Sequence, residues 1–272
     1  MRIFAIKDEK NKRALPAAYL LYYPNFDRFY IELSDDVDAW DLPPILSTFA
    51  ERKEKTIGSY WSREWVLQRI VPSDRQNIGQ ILRDNGMKNY SLIDLLVKGR
   101  GRCAQDDFCV GELQERDMPE FILERNKHRL ESGCALAGQR IIYFFKDGEL
   151  RICNASNLNL GPKYQAVLQS DSTFRQLHVD PIGYSLEWDE NLCITSELLH
   201  SVGTSLPITQ KDLMEYIQQN VVTGTEAAEE LNCSRQNLSD LVLRKKIRPI
   251  KKIGKVSLFL RSEIRKRAKA AF

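Results

Sequence analysis

Arg235 and Gln236, directly after Ser234, and Ser239 and Asp240 one helical turn on, are the side chains whose types and spacing most directly suggest chemistry. An arginine can grip guanine O6 and N7 with two hydrogen bonds, and a glutamine can do the same to adenine N6 and N7. A carboxylate can accept from cytosine N4. Leu238, Leu241 and Val242 share this stretch at i, i+3 and i+4, the spacing of a buried helical stripe. With that stripe turned inward, Gln236 and Asp240 point away from it, and Arg235 and Ser239 lie on one flank. Base readout of double-stranded DNA is therefore expected from Arg235, Gln236, Ser239 and Asp240. Contacts to the phosphate backbone, which fix register without reading sequence, are expected from Ser234, Asn237, Arg244, Lys245, Lys251, Lys252 and Lys255.

Other chemistry finds less support. The six cysteines contain no Cys-x-x-Cys pair, which argues against zinc ribbons and a disulfide scaffold and favours a reduced cytosol. The three histidines lie far apart, with no metal-type spacing. His178 falls in an alternating segment and reads as a surface or half-buried residue. Asp106 and Asp107 are adjacent acids that point in different directions, as in a solvated loop. Gly99-Arg100-Gly101 lacks the strand-to-helix context of a phosphate loop. No Ser/His/Asp, Cys/His or paired-carboxylate spacing stands out, so neither an enzyme nor a bound metal or cofactor is expected. No run approaches the roughly 20 apolar residues of a membrane helix, and Met1–Asp8 has no secretory core. A cytoplasmic protein with no membrane association is expected.

Charge is unevenly placed. The chain carries 40 Lys and Arg against 37 Asp and Glu, a net +3 over 272 residues. From Ser234 to Phe272, 13 basic residues face two acids, a net +11, while the remainder sums to −8. Such asymmetry predicts a basic module for a polyanion, joined to a body that does not meet it.

The elements that must position these side chains can be read outward from them. Thr225 is the expected N-cap of one short helix, with Ala227, Ala228 and Leu231 as its apolar stripe. Ser234 caps the next helix after a turn at Asn232-Cys233. Two hydrophobic strands then flank Gly254-Lys255, a pair suited to a type II′ hairpin turn. Ser262-Glu263 caps a closing helix that carries Arg265, Lys266, Arg267 and Lys269. Thr225-x-Glu-Ala-Ala-x-x-Leu, Ser234-Arg-Gln-Asn, Ile247-x-Pro-Ile and Leu258-Phe-Leu-x-x-x-x-Ile264 resemble the winged helix-turn-helix of MerR- and excisionase-like DNA-binding domains over residues 207–272. The coiled-coil helix and effector domain of MerR regulators do not follow.

Residues 129–206 read as a small α+β domain. It has a hairpin at Ile141–Phe145 and Glu149–Cys153, a short helix near Lys163–Leu168, and strands at Thr173–Val179 and Tyr184–Trp188. Asp147-Gly148, Phe174-x-x-Leu-x-Val179-Asp180 and Leu186-x-Trp188 resemble a small bacterial domain family of unknown function. Residues 1–128 read as a third α+β domain, with paired strands at Tyr19–Tyr23 and Arg28–Leu33. Helices follow, with Trp61, Trp65, Leu67 and Ile70 as a packing stripe and Ile78, Ile81 and Leu82 as a second. Arg69-x-x-Pro72-x-x-Arg75, Leu95-Leu96 and the Gly-rich loop resemble the N-terminal subdomain of HipA-type toxin kinases, without their kinase core.

The expected protein is thus multidomain α+β, a sequence-specific, autoregulatory DNA-binding transcriptional regulator of a bacterium or mobile element. It is expected to work as a homodimer, since one such module reads only a short half-site. The HipA resemblance implies an alternative, an antitoxin whose N-terminal domain binds and neutralises a HipA-like kinase toxin.

Overall fold

A computed structural model describes the chain apart from residues 11–14, 159 and 270–272, and of Lys269 it describes the backbone alone. Helices and antiparallel sheets coexist, which makes this an α+β protein. The chain divides into two units, Met1–Leu206 and Pro207–Phe272.

The first unit begins with β1 (Arg2–Asp8), β2 (Ala18–Tyr23), β3 (Arg28–Leu33), β4 (Thr56–Ile57) and β5 (Phe108–Leu113). They form an antiparallel sheet in the order β4-β3-β2-β1-β5. Successive side chains of a strand point to opposite faces, and here both faces are covered. Ala18, Leu20 and Tyr22 face one core with Phe29, Ile31 and Leu33, whereas Tyr19 and Leu21 join Ile3 and Ala5 in another. This two-sided burial explains the unbroken apolar run of β2, where a half-exposed strand would alternate.

Helices α1 (Pro44–Glu51), α2 (Ser59–Leu67), α3 (Ile78–Asp84) and α4 (Leu92–Lys98) precede β5, and α5 (Glu120–Lys127) follows it. The first core takes Leu46, Phe49, Trp65, Val66, Ile93 and Leu96 from α1, α2 and α4, and the second takes Ile122 from α5. Of the expected Trp61/Trp65/Leu67/Ile70 stripe, Trp65 is buried and Ile70 packs against the first core, but Trp61 and Leu67 do not. Helix α2 buries Ser59, Ser62, Trp65 and Val66, while Trp61 and Leu67 are exposed. Ser62 can face inward because its hydroxyl donates to the Ile57 carbonyl at 3.0 Å. Helix α3 forms where Ile78, Ile81 and Leu82 suggest, yet buries none of its residues.

The loop at 99–107 is not simply solvated. Buried Arg69 donates to the two carboxylate oxygens of Asp106 at 3.0 and 2.5 Å and to the Gly101 carbonyl at 3.1 Å. Its guanidinium lies 4.1 Å from the Trp65 ring centre. Asp106 therefore holds the loop against α2.

The rest of the unit comprises β6 (Leu130–Leu136), β7 (Arg140–Phe145), β8 (Leu150–Asn154), β9 (His178–Val179), β10 (Ser185–Asp189), β11 (Leu192–Thr195) and β12 (Thr204–Leu206). Helices α6 (Gln165–Gln169), α7 (Asp171–Phe174) and α8 (Ser196–Val202) lie among them. Two sheets result, ordered β12-β8-β7-β6 and β11-β10-β9. The β7–β8 hairpin turns at Gly148, whose φ is +90°. Thr173–Val179, expected as a strand, starts instead inside α7, and only His178 and Val179 pair with β10. Ser170 caps α7 by accepting from the Thr173 N–H, and the Trp188 indole N–H donates to the Phe174 carbonyl. These local bonds outweigh the strand propensity of the segment.

Polar bonds link β2 and β3 to this second half of the unit. Tyr30 donates to Asp180 at 2.9 Å and stacks on Tyr184 at 3.9 Å between ring centres. Arg129 lies over the Tyr184 ring at 4.0 Å, and it donates to the hydroxyls of Tyr184 and of Tyr23. Arg28 forms a two-pronged pair with buried Glu187 at 3.1 and 3.0 Å. Nearby, Glu32 is 1% exposed and accepts from Arg125 and Thr56, both at 2.9 Å.

Removing one member of a buried ion pair leaves the other uncompensated, at roughly 3–5 kcal/mol, whereas one neutral hydrogen bond is worth about 1. Arg125→Ala should therefore lower the unfolding free energy by about 3 kcal/mol and Tyr30→Phe by about 1, as read from urea titrations. Tyr30→Phe is the milder change because Asp180 still accepts from the N–H groups of Ile182, Gly183 and Ser185.

A pH dependence follows from His200, whose ring stacks on His128 at 4.1 Å. Burial, His128 and Arg151 all lower its pKa below 6.5, while Glu149 and Asp147 oppose them. A histidine depressed in the folded state contributes stability that is complete above its unfolded pKa and is lost as pH falls through the folded one. Melting temperatures should therefore drop on acidification below pH 6.5, and His200→Gln should flatten that limb of the profile.

Candidate nucleic-acid interface

The second unit contains α9 (Gln210–Asn220), β13 (Val221–Thr223), α10 (Gly224–Glu230), α11 (Arg235–Leu243), β14 (Lys251–Ile253), β15 (Val256–Leu260) and α12 (Arg261–Lys269). Its core is small. Val222, Ala227, Ala228, Leu238, Ile247, Phe259 and Ile264 are buried, with Leu231, Leu241 and Val242 packed around them. Leu238 and Phe259 both close on Gly224 at the start of α10, where a Cβ would lie 3.9 and 4.0 Å from them.

Helix α10 begins earlier than expected. Thr223, not Thr225, is the N-cap, and it forms a capping box with Glu226. The Glu226 carboxylate accepts from the Thr223 N–H at 2.7 Å and from its hydroxyl at 2.8 Å. These two donors lower the Glu226 pKa. The turn into α11 passes through Asn232 at φ +51°, a left-handed conformation that asparagine tolerates. Ser234 caps α11 by accepting from the Asn237 N–H at 3.1 Å, and Lys245 ends the helix at φ +57°. Arg261 opens α12, one residue ahead of the cap expected at Ser262.

The strands β14 and β15 form the hairpin, with Ile253 opposite Val256 and a two-residue turn at Gly254-Lys255. Positive φ occurs at Gly254 and not at Lys255, as a type II′ turn requires. The sheet order is β13-β15-β14, so a strand that sequence reasoning missed, β13, backs the hairpin. Helix α9 was missed as well, although Thr209 and Asp212 signal its capping box.

Ser234, Arg235, Gln236, Asn237, Ser239 and Asp240 are all exposed on α11 or at its cap. Arg244, Lys245, Lys251, Lys252 and Lys255 are exposed at the end of α11 and along the hairpin. The four readout candidates are not equally free. The Arg235 Nη2 donates to the Thr225 hydroxyl at 2.6 Å, and the Ser239 hydroxyl donates to the Arg235 carbonyl at 3.0 Å. Gln236 and Asp240 remain one turn apart with no such bond among the described residues.

Not every basic residue is available to a ligand. Arg261 donates to Glu230 at 2.6 Å and to the Gln219 carbonyl, and Arg265 reaches Glu230 at 3.5 Å. Arg261 thus ties together the ends of α9, α10 and β15. Leu243, Ile250, Ile253 and Val256 are exposed apolar residues on or beside this surface.

No family model, curated protein or solved structure matches this chain. The reading of this surface therefore rests on its own geometry. It is a capped helix with polar side chains toward solvent, next to a hairpin bearing lysines, in a segment of net +11 from Ser234 onward. Such a surface can accept a polyanion along the hairpin and present amide, carboxylate and guanidinium groups to it from α11. Among the described residues no group of three or more His, Cys, Asp or Glu side chains could hold a metal ion, and no helix is long and apolar enough to cross a membrane.

The cap sets the orientation of α10 and so of its turn. Thr223→Ala should cost about 1 kcal/mol and speed amide hydrogen exchange in α10 about fivefold, whereas Thr225→Ala should leave that exchange unchanged.

Proposed function

We propose that this protein is a sequence-specific DNA-binding transcriptional regulator of a bacterium or mobile element, reading double-stranded DNA through Pro207–Phe272. The observation that carries this reading is the pair α10–α11. Two short helices are joined by a turn at Asn232, and the second exposes Arg235, Gln236, Ser239 and Asp240 beside a lysine-bearing hairpin. In helix-turn-helix proteins the first residues of the second helix meet base edges in the major groove. Gln236 and Asp240 offer unspent amide and carboxylate groups for adenine and cytosine. Arg235 offers its remaining donors to guanine. Lys251, Lys252 and Lys255 stand along the hairpin for phosphates, with Arg244 and Lys245 at the helix end.

A single module of this size reads too few bases to single out one site in a genome. Action as a homodimer on a palindromic operator in the cytoplasm, including the operator of its own gene, completes the proposal. The acidic balance of the remainder disfavours DNA contact elsewhere on the chain.

Selection of bound fragments from random duplex DNA by the full-length chain is expected to yield a palindromic consensus. Recovery of no sequence preference would remove the reading. On the selected site, Gln236→Ala or Asp240→Ala should cost about 1–3 kcal/mol and relax preference at one position per half-site. Arg235→Ala should lower specificity more than Lys251→Ala does. Lys251→Ala or Lys255→Ala should weaken all sequences alike and make the log–log salt slope shallower by about 0.9 for each phosphate no longer neutralised.

A further inference from the structure

The first unit holds a cavity of about 580 Å³ lined by α1, α2, the Arg52–Glu54 turn, β11 and α8. Sites for small molecules fall roughly between 300 and 1,000 Å³ and combine apolar walls with a few placed polar groups. Phe49, Tyr60, Trp61 and Tyr164 contribute aromatic rings to the lining. Trp61 is met edge-on by Phe49 and Tyr60, with ring centres 6.3 and 5.3 Å away, and still remains 47% exposed. A tryptophan held by its neighbours yet left open at a cavity wall is a ready stacking surface.

Of the three carboxylates in the lining, Glu190 and Glu197 are engaged by the walls, and Glu54 has no side-chain partner among the described residues. Glu190 pairs with Arg28 at 3.5 Å, and Glu197 accepts the backbone N–H groups of Lys55 and Thr56 at 3.1 and 3.3 Å. Burial raises the Glu54 pKa, with Glu197 adding to the rise against Arg52. The Cys193 thiol is pushed up to about 11 by burial and stays neutral. Arg52 and Lys53, by contrast, are exposed and form no ion pair among the described residues, and Lys163 donates to the Asn191 carbonyl at 2.6 Å and lies 5.1 Å from the Tyr164 ring centre. The walls are also fixed in place. Glu197 joins α8 to β4, and the Tyr164 hydroxyl donates to the Cys193 carbonyl at 2.7 Å.

We propose that this cavity binds a planar aromatic anion, with its ring against Trp61 and its anionic group against Arg52 and Lys53. Indole-3-acetate and tryptamine test this directly, because they share one ring system and carry opposite charges. In calorimetric titration of the full-length protein, indole-3-acetate is expected to bind at one site per chain, and tryptamine at least about tenfold more weakly. Trp61→Ala, or Arg52→Ser combined with Lys53→Asn, should weaken indole-3-acetate by about tenfold or more. Asparagine suits position 53, where φ is +60°. Tryptamine binding as tight as indole-3-acetate would overturn the proposal, as would absence of indole-3-acetate binding up to about 10 mM. If a variant fails to fold, the comparison of the two ligands on the natural chain still decides. Binding is read directly, so the outcome is independent of any DNA affinity in Pro207–Phe272.

Discussion

The first unit depends on one desolvated cation. Arg129 is 6% exposed, and its guanidinium faces Tyr184 and Tyr23 rather than a carboxylate partner. A buried charge without partners would cost several kcal/mol, and the ring and hydroxyl contacts around Arg129 offset that cost, while its Nε stays without a partner among the described residues. Arginine suits this place better than lysine would. Its flat, weakly hydrated head can stack on a ring while its edge donates to hydroxyls on both sides. Because Tyr23 ends β2 and Tyr184 precedes β10, the two Nη bonds of Arg129 tie the two halves of the unit together. Tyr30–Asp180 and Arg28–Glu187 then repeat the same junction from β3. Polar bonds of this kind are directional, so they specify one docking geometry where apolar contact alone would allow several.

That junction has a consequence for the cavity. Arg28 binds Glu187 and Glu190 together, which removes Glu190 from the lining as a free anion. Glu197 is drawn onto the amides of β4 in the same way. The bonds that assemble the unit thus engage two of its cavity's three carboxylates, Glu190 and Glu197, and leave Arg52 and Lys53 exposed on the turn beside them. Assembly and cavity charge are one arrangement seen from two sides.

How much of this could be read in the sequence varies with the range of the interaction responsible. Strands β2 and β3, the β7–β8 hairpin, the α11 cap at Ser234 and the Gly254-Lys255 turn were legible because each rests on neighbours within a few residues. The same holds for the exposure of Gln236 and Asp240, which helical geometry alone determines. Trp61 was misplaced because only the Ser62–Ile57 bond lets a serine take the inward position. Asp106 was misread as solvated because its partner, Arg69, lies 37 residues away. The Arg129 cluster joins residues 106 and 55 positions apart, which no local pattern reports. Helix α9 was missed although Thr209 and Asp212 form its capping box and Leu213, Met214 and Ile217 repeat at i, i+1 and i+4, and β13 was missed because three residues are too few for a strand pattern.

The bond between Arg235 and Thr225 bears on how α11 could read a base. A free surface arginine loses rotamer entropy of up to about 2 kcal/mol when it docks. At 2.6 Å from Thr225, the Arg235 guanidinium is already restrained by the preceding helix, and part of that loss has been met before any ligand arrives. One of its five N–H donors is used in doing so, which leaves the second N–H of Nη2 and its neighbour on the other edge for a base. Thr225 lies two residues past the Thr223 cap, so the capping box that orients α10 also places the hydroxyl that holds Arg235. Preorganisation of Arg235 and stability of the first helix therefore come from the same turn of backbone. A sequence that altered the cap would disturb both, even with every residue of α11 unchanged.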